Sequence, residues 1–269
     1  MVANVVGHAV LGIDAAWTSH HPSGVGLIYR DESAWRCVAL ASSYRQFIGA
    51  ASEQVREHGW PGALALLEAS RRRLPSQVKV AVVAVDMPLA KSPIVGRRAA
   101  DRAVSTEYGA KGCAVHSPTP ARPGPLAESI RSDFERAGFP LASAGDLTGS
   151  APRLVEVYPH PAVMALCGAD YRVTYKVSRA RRYWPGKDPD ERVALLCAQW
   201  RTIVDALSRQ VADVDMPMPP VLPRTGLKAF EDTLDALVCA WVGARYLEGH
   251  ARAFGDDDAA IWVPTQSRR

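Results

Sequence analysis

One segment constrains the fold of this chain more than any other: residues 78–85 read VKVAVVAV and end at Asp86, Met87 and Pro88. An almost unbroken run of β-branched residues and alanine is typical of a strand covered by other elements on both faces. Such a strand lies in the centre of a sheet that has helices on either side. The segment therefore predicts an α/β protein.

The rest of the chain alternates between strand-like and helix-like patterns. Three strand-like segments with short polar connections open the chain, and connections this short require neighbouring strands to be antiparallel. The predicted strands are 9–17, 24–29, 34–41, 78–85, 153–158 and 260–263. The predicted helices are 44–57, 61–73, 97–108, 127–137, 190–211 and 229–248.

Two proline-rich segments, 117–125 and 215–225, predict loops, because proline cannot continue a helix. They are too short to separate independently folding halves, and the sequence shows no internal repeat. We therefore expect residues 1–269 to form a single domain, with a mixed sheet and helices on both of its faces.

Composition excludes several classes of protein. The chain has 269 residues, 48% of them hydrophobic, which rules out disordered, collagen-like and low-complexity chains. Its net charge of +4 permits binding to nucleic acid without requiring it. Its five cysteines form no CxxC pair, which excludes a zinc ribbon and a thioredoxin-type motif. No apolar run reaches the ~18 residues of a membrane span, and no cleavable leader is recognisable, so we expect a soluble cytoplasmic protein.

Carboxylates stand where a metal site would need them. Asp14 lies within or at the end of the first strand, Asp86 ends the central strand, and Glu156 interrupts an apolar strand. Asp232 and Asp235 are three positions apart, so both project from one face of the last helix. Hard divalent cations such as Mg²⁺ bind oxygen ligands, and they need several carboxylates from different elements. These five residues are therefore candidate metal ligands.

Each of these acids also has an ordinary structural explanation. An aspartate at the end of a strand often begins a turn, and Asp232 and Asp235 would complement the positive end of the helix dipole. Glu156 would pair with one of the many arginines. The combination favours a site, because an ionised carboxylate at the end of a doubly covered strand is costly unless a cation or hydrogen bonds offset it.

Basic residues near these acids are candidates for contact with a phosphate. The segment 177–187 after Lys176, VSRARRYWPGK, interleaves basic residues with tyrosine and tryptophan. This combination suits phosphate contact and base stacking, and a solvated loop can have the same composition. Two arginines on the helix after Asp86 would face either a phosphate or solvent. The candidate substrate-binding residues are Lys176, Arg97, Arg102, Arg179 and Arg182.

Several motifs resemble those of the domain-of-unknown-function family 429, whose members are described as predicted RNase H-like nucleases. The matching segments occur in the expected order along nearly the whole chain. They include GIDAAW (12–17), VAVDMPL (83–89), RRAADRAVS (97–105), EVYPHPA (156–162), EDTLDALVCAWVGA (231–244) and IWVP (261–264). The resemblance implies a ribonuclease H-like α/β fold, with a mixed five-stranded sheet whose first three strands are antiparallel and with helices on both faces.

The same resemblance implies roles for the acids. In RNase H-like nucleases, acids on strand one, strand four and a C-terminal helix hold two Mg²⁺ or Mn²⁺ ions. By position these acids are Asp14, Asp86 and Asp232 with Asp235, whereas Glu156 is characteristic of this family rather than of the whole fold. The implied activity is hydrolysis of a phosphodiester by a two-metal-ion mechanism, in which Lys176 neutralises charge on the scissile phosphate. Nucleic acid is the expected partner.

Two other functions remain open. A non-catalytic module that binds nucleic acid or protein could have the same fold, but it would have no reason to keep buried carboxylates. An actin-like or sugar-kinase-type ATPase shares this core. Such enzymes have two such domains around a nucleotide, and this chain is short for that and has no second glycine-rich phosphate loop.

Overall fold

The structure is a computed structural model that describes residues 7–18, 20–49, 59–219 and 224–265. Within these residues one sheet contains eight strands. The strands are β1 (Gly7–Asp14), β2 (Gly24–Arg30), β3 (Trp35–Ala41), β4 (Val78–Asp86), β5 (Arg153–Val157), β6 (Val211–Ala212), β7 (Ala251–Gly255) and β8 (Ala260–Pro264). The helices are α1 (Tyr44–Ile48), α2 (Ala63–Arg71), α3 (Ala99–Tyr108), α4 (Pro125–Arg136), α5 (Pro159–Cys167), α6 (Ala180–Tyr183), α7 (Pro189–Ser208) and α8 (Arg224–Leu247).

The centre of the sheet has the arrangement that the sequence predicts. β1, β2 and β3 pair antiparallel in chain order, and β4 lies parallel to β1. β5 lies parallel to β4 on its other side, so the order across this part of the sheet is β3-β2-β1-β4-β5. The prediction of three antiparallel opening strands is confirmed, and the first of them lies beside the central strand.

The sheet is larger than the resemblance implies. Among the described residues it has eight strands rather than five, so the expected number is wrong. The sequence predicts β8 but neither β6 nor β7. β6 has only two residues, and the five residues of β7, ARAFG, carry no clear strand-like alternation.

The predicted helices have shifted ends, and two helices, α5 and α6, are missing from the prediction. α4 begins at Pro125, inside the segment predicted as a loop. α5 is not predicted, because Pro159 and Pro161 look like the end of a strand, although the first turn of a helix tolerates proline. Residues 50–57 of the predicted helix 44–57 and residues 220–223 of the predicted loop 215–225 lie outside the described residues.

Helices cover β4 on both faces, as its apolar sequence requires. Val82 and Ala84 pack on one face in a core that includes residues of α5, α7 and α8. Val83 and Val85 pack on the other face in a second core, with α1, α2 and α4. Of the helices in the described residues, none is both long enough and apolar enough to span a membrane.

Two glycines allow α8 to lie directly on the sheet. A Cβ atom at Gly12 would come within 2.2 Å of the carbonyl oxygen of Ala236. A Cβ atom at Gly24 would come within 2.0 Å of the carbonyl oxygen of Asp232. A larger residue at either position would push the helix away. Because Gly24 pairs with Asp14, this contact brings the acids of α8 to the carboxyl end of β1.

Candidate active site

The two central parallel strands each end in a carboxylate. Asp14 is the Cα partner of Asp86 in the pairing of β1 with β4. Side chains alternate between the two faces of a strand, so Asp86 lies on the face of Val82 and Ala84, which pack against α8. Asp14 lies on the same face, two residues after Gly12, which also contacts α8. The two carboxylates therefore project side by side toward α8.

α8 contributes further acids at the same place. Asp232 and Asp235 are buried, and so is Glu231 beside them. The carboxyl group of Asp232 lies within hydrogen-bond reach of Asp14, and the charge of Asp235 acts on both Asp14 and Asp86. We call Asp14, Asp86, Asp232 and Asp235 the carboxylate cluster. The structure thus brings together all but one of the acids predicted as metal ligands.

Two lysines pair with the acids of α8. Lys176 binds Asp235 in a short ion pair, and its Nζ lies 3.6 Å from Oε1 of Glu231. Lys228 binds Asp232 in the same way, and its Nζ lies 2.9 Å from the same Glu231 oxygen. The side chain of Lys176 is 16% exposed, whereas that of Lys228 is 53% exposed. The sequence singles out Lys176 but gives no reason to single out Lys228.

Burial and mutual repulsion raise the pKa values of these acids. Burial is the main cause that holds the pKa of Asp14 well above its usual value, and the charges of Asp235 and Asp232 raise it further. Burial also raises the pKa of Asp86 to about 7, against the opposing effect of Lys176. Among the described residues, none donates a hydrogen bond to the Asp86 carboxylate. The positive charge of Lys176 therefore balances Asp14 and Asp86 only in part, and a proton or a cation would supply the rest.

A cavity of about 650 Å³ opens at the carboxylate cluster. Its lining includes Asp14, Asp86, Asp232 and Lys228, and further residues come from two loops that carry none of the predicted site residues. One loop connects β1 to β2, and the other leads into the proline-rich segment 117–125. The loop residues that line the cavity include Trp17, His21, His116, Ser117, Thr119 and Arg122.

The position of these loops relative to the ends of the strands is the signal by which the sequence could have identified them as part of the site. In open α/β sheets, ligands bind in the crevice outside the carboxyl ends of the strands, where the loops that follow those strands meet. The β1–β2 loop follows Asp14 directly. The segment 117–125 reaches the cavity only after α3, so its distance along the chain conceals the relationship.

Glu156 lies outside the carboxylate cluster, which corrects its assignment to that group. It pairs in register with Val85, so its side chain lies on the face of the sheet opposite α8. Nη1 and Nη2 of Arg98 donate to its two oxygens at 2.6 and 2.7 Å. The backbone N–H of Leu89 donates to Oε2 at 2.8 Å, and Arg98 also binds Asp101. Glu156 therefore belongs to a buried ion-pair network, as its ordinary structural explanation expects.

The predicted substrate-binding arginines do not line the cavity. Arg97 donates a hydrogen bond to Oγ of Ser117 at 3.0 Å, so it supports the loop that lines the cavity. Arg102 donates to the backbone oxygen of Arg97 at 2.9 Å. Arg179 lies in the turn that precedes α6, and Arg182 is exposed within α6.

In the part of the chain that the structure describes, no group of three or more His, Cys, Asp or Glu side chains is arranged to hold a metal ion. The ion pairs give a reason, because Lys228 holds Asp232 and Lys176 holds Asp235. The chemistry of the donors fits a hard divalent cation, for which carboxylate oxygens are preferred ligands. A cation entering the cavity would displace the ammonium group of Lys228, whose side chain is half exposed and can turn toward solvent.

The family model described as "Protein of unknown function (DUF429)" matches residues 12–260. The chain belongs to the DUF429 family. The matched range includes every member of the carboxylate cluster and both loops that line the cavity. Searches of curated proteins and of solved structures gave no match. The description of the DUF429 family names no activity, and a fold alone does not establish one.

Proposed function

We propose that this DUF429 protein is a nuclease that hydrolyses phosphodiester bonds with a divalent cation, Mg²⁺ or Mn²⁺, bound at the carboxylate cluster. The observation that carries the proposal is the placement of Asp14, Asp86 and Asp232 around one open cavity. Their charges are only partly balanced by the neighbouring lysines, since the pKa values of all three are raised. Asp232 is buried and Asp14 and Asp86 are partly buried, and such carboxylates are costly unless a cation offsets their charge.

The topology of the sheet also supports the proposal, because it is compatible with an RNase H-like fold. The order β3-β2-β1-β4-β5, with three antiparallel strands followed by two parallel ones, agrees with the fold that the resemblance implies. On this interpretation β6, β7 and β8 extend the core at its two edges. The acids then occupy the ends of strands one and four and a C-terminal helix, as in nucleases of that fold.

The residues of the cavity divide into two roles. Asp14, Asp86 and Asp232 would hold the cation, which when bound would activate water for attack and offset charge on the phosphoryl group. Lys228 and Arg122 also line the cavity and would neutralise the phosphates of the substrate.

Base recognition would involve a different part of the cavity. Trp17 belongs to the lining, and aromatic side chains stack on bases without regard to sequence. The cavity volume of about 650 Å³ lies within the ordinary range for ligands of small-molecule size. We therefore expect a flexible single strand to be a better substrate than a rigid duplex.

The test compares the wild type with Asp14→Asn on single-stranded DNA, single-stranded RNA, RNA–DNA hybrid and four-way junctions. Each substrate is incubated with Mg²⁺, with Mn²⁺ and with a chelator. Asp205→Asn is the matched control, because Asp205 is an exposed aspartate on α7. We expect metal-dependent cleavage by the wild type and the control. In Asp14→Asn we expect a loss beyond the roughly 10–100-fold that follows removal of a partner supporting a metal ligand.

Other outcomes separate the alternatives. Cleavage that persists in Asp14→Asn would place the activity elsewhere. Binding of nucleic acid without cleavage under any metal condition would favour the non-catalytic binding module.

A further inference from the structure

Lys176 is a largely buried cation held from several sides. Its Nζ binds Oδ2 of Asp235, lies 3.6 Å from Oε1 of Glu231 and lies 5.1 Å from the centre of the Tyr175 ring. Tyr175 is itself fully buried, and its carbonyl oxygen accepts a hydrogen bond from the indole N–H of Trp200 at 2.8 Å. The ammonium group therefore has a defined position in the protein interior.

The two acids that lie deepest in the site, Asp235 and Glu231, already have hydrogen-bond partners. The hydroxyl group of Tyr175 donates to Oδ1 of Asp235 at 2.8 Å, so both oxygens of Asp235 have partners. Glu231 accepts from Lys228 on one oxygen and from the backbone N–H of Val177 on the other. Neither acid lines the cavity. The oxygens of both acids therefore already have partners within the chain itself.

The acids that line the cavity are differently placed. Asp14, Asp86 and Asp232 face it, and the ammonium group that binds one of them belongs to the half-exposed Lys228. A pair of catalytic ions lies about 3.5–4 Å apart and needs carboxylates from several elements. A first ion has only to displace the ammonium group of Lys228 from Asp232. A second ion would also have to displace Lys176 from Asp235.

Resting on the proposed function, we propose that the site holds one divalent cation, on Asp14, Asp86 and Asp232. The ammonium group of Lys176 supplies the positive charge that a second ion would otherwise bring. Lys176 is thus a positioning residue that acts through Asp235, and it makes no contact with the substrate. This assignment differs from the two-ion arrangement that the family resemblance implies.

Binding of Mn²⁺ to the full chain tests this stoichiometry directly. Calorimetric titration should give one Mn²⁺ per wild-type chain, and electron paramagnetic resonance should show an isolated ion rather than a spin-coupled pair. Two ions per wild-type chain would overturn the single-ion inference and leave the proposed function standing. No bound Mn²⁺ would overturn the proposed function itself.

Two variants of Lys176 test its role as the second cation. Lys176→Met keeps the length of the side chain without its charge, which frees Asp235 and Glu231. We expect two Mn²⁺ per chain and a spin-coupled signal in this variant, and a return to one ion in Lys176→Arg. One ion in a folded Lys176→Met would show that the ammonium group does not stand in for a metal.

Asp235→Asn decides the same question if Lys176→Met does not fold. A single-ion site on the other acids should still bind one Mn²⁺, with an affinity within roughly threefold of the wild type. Loss of the bound ion in folded Asp235→Asn would make Asp235 a ligand and contradict the inference.

Discussion

Asp14 and Asp86 are paired residues at the carboxyl ends of neighbouring parallel strands, and their side chains lie on the same face of the sheet. The negative charge of Asp86 raises the pKa of Asp14, and burial is the largest cause of the raised pKa in both residues. Since the described residues donate no hydrogen bond to Asp86, the fold leaves this pair without full compensation. A bound proton or a bound cation would provide this compensation.

Replacing Asp14 by asparagine should separate stability from metal binding. The folded-state pKa of Asp14 lies well above its usual value, so its ionised form opposes folding at neutral pH. We expect the metal-free melting temperature of Asp14→Asn to be unchanged or higher. The wild type should gain about 2.7 kcal/mol, or roughly 5–10 °C, at a Mn²⁺ concentration 100 times the Kd, and the variant should not.

Differential scanning calorimetry with and without Mn²⁺ makes this measurement, and Asp205→Asn should follow the wild type. A melting temperature of Asp14→Asn that rises with Mn²⁺ as much as that of the wild type would remove Asp14 from the metal site.

The pKa of about 7 for Asp86 makes both stability and metal affinity depend on pH. Because this folded-state pKa exceeds the ordinary value of about 4, the folded chain holds a proton that the unfolded chain releases. The contribution of Asp86 to metal-free stability is therefore present in full below about pH 4 and is lost as the pH rises through 7. Metal binding needs the ionised carboxylate, so Mn²⁺ affinity should rise by up to about tenfold per pH unit below pH 7 and level off above it.

Calorimetric titrations with Mn²⁺ between about pH 5.5 and pH 8.5 would measure that slope. In Asp86→Asn the metal-free melting temperature should depend less on pH over the same interval. An Mn²⁺ affinity that is constant across this range would show that no carboxyl group of the site holds a proton near neutrality.

The sequence indicates that Asp14 and Asp86 stand at the ends of two strands, and the register of β1 with β4 makes them partners. An apolar central strand needs a neighbour on each side, which is the part of this arrangement that the pattern alone predicts. The face on which Glu156 lies does not follow in the same way. It depends on the register between β4 and β5, and a shift of one residue moves every side chain to the other face.

Tertiary contacts also determine the features of the cavity that the sequence does not indicate. Nothing in the segment 117–125 shows that it folds back to the end of β1, since that depends on where α3 places the chain. Lys228 is one turn before Asp232 on α8, and its role becomes visible only because Gly12 and Gly24 bring that helix onto the sheet.

Removing the charge of Lys228 should strengthen metal binding. Its ammonium group competes with an incoming cation for Asp232, and its side chain is 53% exposed, so the ion pair is partly screened. We expect Lys228→Gln to raise Mn²⁺ affinity about three- to fivefold, in line with the small free energy of a half-exposed pair. Isothermal titration calorimetry gives the Kd of both proteins.

Lys187→Gln is the matched control, because Lys187 is 50% exposed and pairs with Glu191 at 2.9 Å on another surface. The affinity of this control should equal that of the wild type. Weaker Mn²⁺ binding by Lys228→Gln would mean that Lys228 supports the ligands instead of competing with the ion.

Glu156→Gln should destabilise the protein without changing its metal site. The variant leaves Arg98 and Asp101 in a buried network that has lost one negative charge, and breaking a buried ion pair costs about 3 kcal/mol or more. Urea denaturation should show this loss, while the Mn²⁺ affinity of the folded variant stays at the wild-type value. Glu32→Gln, at an exposed acid, should change neither quantity. A folded Glu156→Gln that no longer binds Mn²⁺ would return Glu156 to the set of metal ligands.

Gly12→Ala tests whether the contact between β1 and α8 builds the site. The added methyl group would lie 2.2 Å from the carbonyl oxygen of Ala236 and 2.4 Å from the backbone nitrogen of Ala240, so the helix backbone itself must move. We expect a loss of at least about 2 kcal/mol in the free energy of unfolding, because overpacking against a rigid backbone finds little relief. Mn²⁺ affinity should fall as well, since Asp232 moves with the helix while Asp14 stays on the strand. Gly96→Ala is the control, because a Cβ atom there meets nothing within 4 Å. Wild-type stability and wild-type Mn²⁺ affinity in Gly12→Ala would show that the acids of α8 reach the site without this close packing.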